Sequence, residues 1–582
     1  MPNLNGERLR LSLIWGLFFL AAMGLGARVY YLQVVTGEEL ATKAKNRQQG
    51  LLKDYIPRRA IVDRTGTVLA TDRVVYTLYV HPQLFKKSPA EIADQLASIL
   101  DNTSAQALLA RFQQQATGIR LRDNLTEEVA DQIRELESDG LDLTSDYDRY
   151  YPHKTLAANI LGYVQKHDHQ GIIGVELTQQ DKLTRPPHNL PPIPKTGQGD
   201  ILPVSLPSQA VDFDETQLQL TLDLKLQRLA RQALKQQMQA FNAKRGTVMV
   251  MDVDTGELLS FVIEPTFDPN AYGQYSDEER RNWAITDRYE PGSTFKPINV
   301  AIALEAGLIK PNSEIYDPGK MKVGGWKIRN HDYFSKGGHG KINIAEILQV
   351  SSNVGMIKIM ERMPPLDYYQ QLQTLGLEEK VGIDLVGEVS GFLKPEFEFT
   401  NYPIEPATAS FGQGFSLTPI KLAQLHSAIA NGGYLVTPHV VKGLSDHRGK
   451  LVSEKERSRK QVFSPRTTEA VLTMMETVVS QGSGETAKIP GYRLAGKTGT
   501  AQKAEGRSYG NHKITSFVSI FPVQTPRYVV LAVVDEPKKP LAFGSTVAAP
   551  IVKEVIEGLI TIQGIPPRHP EELKREEEEK TN

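Results

Sequence analysis

The sequence predicts an α+β multidomain protein behind an N-terminal transmembrane helix, and three observations carry that prediction. An uncharged run fills residues 11–27, a proline-dense stretch interrupts the chain between residues 184 and 217, and short strand-like and helix-like patterns mix on both sides of it. The length of 582 residues exceeds any single small module, and 40% hydrophobic residues plus 46 Gly match a chain that buries a core. Lys+Arg 67 against Asp+Glu 68 leaves a net charge of -1, which argues against nucleic acid as a partner. With no cysteine there are no disulfides, thiolate nucleophiles or Cys-ligated zinc, so the core alone must stabilise the fold.

Taken in order, the run LSLIWGLFFLAAMGLGA carries no ionisable group and at about 1.5 Å per residue spans roughly 26 Å, near the lower limit for a bilayer core. Arg28 snorkels and lengthens it, which assigns the anchor to residues 11–32. Arg8, Arg10 and the amino terminus make residues 1–10 a cytoplasmic tail and send the rest of the chain out of the cytoplasm. A cleaved signal peptide is the competing reading, because Gly24-Leu25-Gly26 is a small-x-small site.

Residues 48–216 read as a separate α+β module. Thr77-Leu78-Tyr79-Val80 has strand character, and Ser88-Pro89-Ala90-Glu91 is a helix start with cap, proline and a Glu placed for a capping box. Its end, residues 184–216, holds seven prolines and reads as a linker or exposed arm. Residues 217–563 form the largest domain, with strands around 247–253 and 258–262 joined at Asp254-Thr255-Gly256 as a hairpin. The Glu-rich stretch 564–582 is expected to be disordered.

Three segments of the large domain carry chemistry. Pro291-Gly292-Ser293-Thr294-Phe295-Lys296 starts a helix that stacks a hydroxyl and an amine one turn apart. A serine needs an adjacent base, and an amine with a lowered pKa serves. Ser351-Ser352-Asn353 follows an apolar helical stretch and presents a hydroxyl and an amide for proton relay and hydrogen bonding. Lys497-Thr498-Gly499-Thr500 offers an ammonium and two hydroxyls on a candidate edge strand, suited to an extended peptide and its carboxylate. Gly482-Ser483-Gly484-Glu485-Thr486-Ala487-Lys488 lacks the ending of a phosphate loop and reads as a helix start or flexible loop. His167-Asp168-His169 has no matching ligand cluster and reads as an exposed loop.

The order Ser-x-x-Lys, Ser-x-Asn, Lys-Thr-Gly, with about sixty and then about 140 residues between them, resembles the signature of β-lactamases and penicillin-binding proteins. The chain is most similar to a class B penicillin-binding protein of the division-specific, septal type. Ile61-Val62-Asp63-Arg64-Thr65-Gly66, Arg149-Tyr150-Tyr151-Pro152 and Gly174-Val175-Glu176 resemble the family's pedestal blocks. Asn270, Tyr289-Glu290, Gly382-Ile383-Asp384, Gly387-Glu388, Phe411-Gly412-Gln413-Gly414 and Ser516-Phe517-Val518 resemble its later blocks. Ala60 stands where the family usually has glycine, and Thr184-Arg185 with the proline arm replaces an expected Gly-rich hairpin.

The resemblance implies a pedestal of the dimerisation type and a β-lactamase-like transpeptidase domain, an antiparallel sheet flanked by helices. It implies that Ser293 attacks the penultimate D-Ala carbonyl of a stem peptide while Lys296 takes the proton. Ser351 would relay a proton, Asn353 hold the substrate amide, and Lys497, Thr498, Gly499 and Thr500 line the carboxylate site. The backbone N–H groups of Ser293 and Thr500 would form the oxyanion hole. No cofactor or metal is implied. Implied partners are peptidoglycan stem peptides, β-lactams, the plasma (inner) membrane, and a polytopic glycan polymerase with other division proteins. An elongation-type transpeptidase, a β-lactamase, a non-enzymatic β-lactam sensor or scaffold, and a bifunctional synthase are the rival readings, the last disfavoured because no region before Leu218 resembles a glycosyltransferase. Lys296 is expected to be neutral because Lys497 repels its charge.

Overall fold

The computed structural model describes residues 4–36, 57–166, 168–185, 216–454, 457–505 and 508–572. A helix runs from Leu4 to Tyr30 and continues as a π-helical turn, Tyr31–Val35. Within it Ile14–Val35 is the only segment among the described residues long and apolar enough to cross a membrane. Trp15, Leu17, Phe18 and Phe19 are all exposed, as a lipid-facing helix requires.

Residues Arg58–Thr184 and those from Thr216 onward make one compact unit. Its centre is a five-stranded antiparallel sheet in the order Ala495–Glu505, Ser508–Phe521, Tyr528–Asp535, Arg245–Asp252, Leu258–Glu264. Every residue of Tyr528–Asp535 is buried, because the sheet is covered on both faces. Tyr528, Val530, Ala532 and Val534 pack with helices Leu224–Phe241 and Ala549–Gln563, whereas Val529, Leu531 and Val533 join the main core with Lys296–Glu305 and Pro419–Ala430. The two-residue period of a strand thus feeds two cores at once. The expected hairpin is present, with Asp252 Oδ1 accepting the N–H groups of Asp254 and Thr255.

The pedestal shares a sheet with the large domain. Strand Ile61–Val62 pairs in parallel with Gln217–Leu220, which pairs in turn with Val441–Ser445, so one seven-stranded sheet draws on both sides of residue 216. The strand Val68–Val80 contains the anticipated Thr77-to-Val80 segment, and Ser88 caps helix Pro89–Ile99 by accepting from Glu91 N–H. Ala60, in place of the usual glycine, takes no left-handed backbone, and its carbonyl accepts Leu218 N–H at 2.9 Å.

The pedestal blocks converge on Glu176, which is fully buried. Arg58 Nη2 and Arg149 Nε donate to its two carboxylate oxygens at 2.9 and 2.7 Å, and Arg149 Nη1 donates to Asp72 Oδ1 at 2.9 Å. Tyr151 then exchanges hydrogen bonds with Asn270, and Thr178 Oγ1 donates to Asp384 O, which ties the pedestal to the large domain.

One expectation changes. Residues 564–572, expected to be disordered, are tied to the large domain: Arg568 N–H donates to Gly491 O, and Gly491 N–H donates to Glu572 Oε2. Residues 573–582, the proline arm beyond Arg185, and His167 lie outside the described residues.

Candidate active site

A cleft of about 370 Å³ opens beside the edge strand Ala495–Glu505 and is lined by Ser293, Ser351, Asn353, Thr498 and Thr500, five of the residues singled out in the sequence. Ser293 sits in a single 3-10 turn, Gly292–Phe295, that leads directly into helix Lys296–Glu305. Gly292 adopts φ +57, which turns the chain sharply before the serine. The turn is held from below, where His426 Nε2 donates to Thr294 O at 2.8 Å. Burial lowers that imidazole to about 4, so it is neutral at physiological pH and acts as a fixed donor.

Gly499 exists for close approach: a Cβ there would lie 2.4 Å from Ser516 Oγ and 2.9 Å from Thr294 Cγ2. Only a residue without a side chain lets the Ser293 turn press against the edge strand.

Two lysines, both fully buried, meet at Ser351. Lys296 Nζ lies 2.6 Å from Ser351 O, 2.8 Å from Asn353 Oδ1 and 3.3 Å from Ser351 Oγ. Lys497 Nζ reaches Ser351 Oγ at 3.0 Å and Thr498 O at 3.1 Å. Burial, and secondarily the Lys497 charge, holds Lys296 well below the usual lysine range, while burial alone lowers Lys497 to about 7. The expected repulsion between the lysines is therefore present but is not the leading cause. A neutral amine has two donors and one lone pair. The carbonyl of Ser351 and the Asn353 amide oxygen can only accept, so in the neutral form of Lys296 they take both donors and leave its lone pair for a hydroxyl. No hydrogen bond joins Ser293 Oγ to Lys296 in this structure; the amine is instead held ready by Ser351 and Asn353.

Ser351 itself adopts φ +55, left-handed backbone that is uncommon for a residue with a side chain. A buried network that sequence reasoning missed holds it there. Asp317 Oδ2 accepts from Ser352 Oγ (2.6 Å) and Asn330 Nδ2 (2.7 Å), and Asn330 Oδ1 accepts the N–H groups of Asn353 and Val354. Asn330 thus caps the start of helix Asn353–Met360 from outside. Nothing local in the sequence marks Asp317 or Asn330, because they arrive from strands and turns far from the motif they support. Ser483 was also missed: the segment read as a helix start or flexible loop leads into a 3-10 turn, Glu485–Ala487, and places the Ser483 hydroxyl 3.1 Å from Thr498 Oγ1, where it lines the cleft. The Gly482-Ser483-Gly484 triplet was the available signal. His331, Phe411, Gln413 and Gly544 are also among the lining residues, and Gly544 N–H donates to Thr500 Oγ1. Among the described residues no cluster of His, Cys, Asp or Glu could hold a metal ion.

Chemically, the arrangement is a serine lining a cleft against two buried amines, a hydroxyl that touches both amines, and an edge strand. The chain is also similar to known proteins. Residues 246–557 match the penicillin binding protein transpeptidase domain and residues 53–184 the penicillin-binding protein dimerisation domain. The chain is 43% identical to a peptidoglycan D,D-transpeptidase FtsI homolog of Mesostigma viride, covering 96% of this chain and 97% of the relative. It is 32% identical to stage V sporulation protein D of Bacillus subtilis (strain 168), over 97% of this chain and 86% of that one. The fold superposes on penicillin binding protein 3 of Mycobacterium tuberculosis complexed with aztreonam with a TM-score of 0.66 at 25% identity, covering 88% of this chain and 98% of that one. With both domains matched in order and the relatives aligned nearly end to end, the chain belongs to the class B penicillin-binding proteins.

Proposed function

We propose that this protein is a membrane-anchored serine D,D-transpeptidase that cross-links peptidoglycan stem peptides during septum synthesis. The observation that carries the reading is the meeting of two buried lysines, neither ion-paired among the described residues, on one hydroxyl in the cleft that Ser293 lines. Ser293 Oγ adds to the carbonyl carbon of the penultimate D-Ala, and its proton passes to the free lone pair of Lys296. Ser351, in contact with both amines, delivers a proton to the departing D-Ala nitrogen, and the C–N bond breaks to leave an ester on Ser293. The amine of a second stem peptide then attacks that ester, which restores Ser293 and forms the cross-link.

Asn353 has a second task in this scheme, because its amide both holds Lys296 and borders the substrate. Lys497, Thr498 and Thr500 take the terminal carboxylate. A carboxylate brought beside Lys497 favours its charged form, so binding itself protonates the anchor. Gly499 keeps the strand free for the peptide, and the N–H groups of Ser293 and Thr500 supply the oxyanion hole. The N-terminal helix anchors the chain in the plasma membrane, with Arg8 and Arg10 on the cytoplasmic side and the catalytic domain outside. A polytopic glycan polymerase and other division proteins are the partners this reading implies. The septal assignment is supported by the FtsI naming of relatives that align with nearly the whole chain.

Mass spectrometry of the full-length protein after penicillin exposure tests the reading. A persistent adduct on Ser293, absent from Ser293→Ala, is the expected result. An adduct elsewhere, rapid turnover of the penicillin, or no adduct at all would overturn it.

A further inference from the structure

The strands Lys320–Val323 and Trp326–Arg329 form a two-stranded antiparallel ribbon closed by Gly324 and Gly325, both with positive φ. Its register puts Lys327 directly opposite Lys322 and Arg329 directly opposite Lys320. Because side chains alternate along a strand, all four cations share one face, and all four are exposed. The other face is apolar: Ile328 is buried with Ile357, Ala407 and Phe411, and Met321 and Val323 pack against them. Like charges directly opposed across a strand pair are destabilising. Here the opposition occurs twice in succession, and among the described residues no carboxylate forms an ion pair with any of the four. The side chains are arranged around aromatic rings instead, Arg329 over the exposed Phe334 at 4.9 Å and Lys320 over Tyr333 at 5.2 Å.

A repulsive face of this kind in a chain of net charge -1 is a local choice and not a consequence of composition. It is also continuous with the cleft. Arg329 O accepts from Asn353 Nδ2 at 3.1 Å, and the two residues that follow, Asn330 and His331, respectively cap the Asn353 helix and line the cleft.

We propose that this four-cation face docks the uncrosslinked peptidoglycan strand, its lysines and arginine meeting the carboxylates of stem peptides next to the one being processed. The assignment rests on the transpeptidase reading above and extends it from the reacting peptide to the polymer that carries it. Charge complementarity and contiguity with the cleft select this occupant: a carboxylate-bearing strand whose one stem enters the site must lay its neighbours along the adjoining surface. The ligand relieves the repulsion between opposed cations, so binding is electrostatic and weakens as ionic strength rises.

The test compares full-length wild type with Lys322→Gln/Lys327→Gln in detergent. Two measurements are made: retention on sedimented uncrosslinked peptidoglycan strands bearing pentapeptide stems, and acylation by a fluorescent penicillin, which enters the cleft without needing the ribbon. Retention is expected to fall about tenfold in the variant and in wild type at high salt, with acylation within about twofold of wild type. Unchanged retention would overturn the proposal. So would a parallel loss of acylation, which would mark damage to the cleft, or lysine-dependent retention on phosphatidylglycerol vesicles in place of strands. If the wild type takes no penicillin, the enzymatic reading fails on its own, and strand retention still decides the surface.

Discussion

The pedestal and the cleft both bury cations completely, and they treat them in opposite ways. Arg149 is enclosed with Glu176 and Asp72, all three side chains at most 1% exposed. Burial works against its charge, but Glu176 and Asp72 outweigh that and hold the guanidinium above its already high ordinary range. Among the described residues neither Lys296 nor Lys497 has an ion-pair partner, and burial drives both toward the neutral amine. The residue types suit the tasks, because arginine keeps its proton under any condition the protein meets while lysine gives it up when desolvated. Paired burial fixes geometry; unpaired burial favours the neutral amine that a base requires.

Mutations in the two clusters should therefore separate activity from stability. Lys296→Met is expected to slow acylation by penicillin by about 10²–10⁴-fold, the range for losing a positioned base, while thermal unfolding shows a protein at least as stable as wild type. Glu176→Ala should do the reverse. Leaving Arg58 and Arg149 buried without their carboxylate costs about 3–5 kcal/mol in denaturant unfolding, with acylation per folded molecule little changed. Asn330→Ala probes the ground between them. Two N–H groups at the Asn353 helix start lose their acceptor, which is worth about 1–3 kcal/mol, and acylation slows about tenfold because Ser351 and Asn353 shift. The smallest effect belongs to Ala60→Gly. Restoring the family's usual residue at a backbone position that alanine already fits should cost about 0.4–1 kcal/mol of stability through unfolded-state entropy and leave acylation unchanged.

The same contrast explains what could be read from the sequence. The cleft was legible because its reacting groups sit in three short runs, each with its own spacing, and the edge position of Lys497-Thr498-Gly499-Thr500 followed from a polar strand that needs one free side. The helix start at Ser88 and the hairpin at Asp254 were legible for the same local reason. Asp317, Asn330 and Ser483 were not, since each acts through a partner distant in the chain, and a single Asp or Asn between strands has no pattern of its own. The sheet that joins Ile61–Val62 to Gln217–Leu220 was hidden by the proline-dense segment, which separates the strands in sequence while the fold pairs them. Residues 564–572 looked too polar to order, but their backbone groups and Glu572 are used by Gly491, a contact that composition does not encode.

Burial drives Lys296 toward the neutral amine, and its proposed role as the base for Ser293 follows from that direction. A base of this kind is active when deprotonated, so acylation must rise with pH through the lowered lysine ionisation and level off above it. The most direct measurement is the pH dependence of penicillin acylation on full-length protein. The predicted result is a rising limb that is complete well below 10.5, the ordinary value for lysine, and that is lost in Lys296→Met. A rate that instead climbs only through an ionisation at the free-lysine value would contradict it.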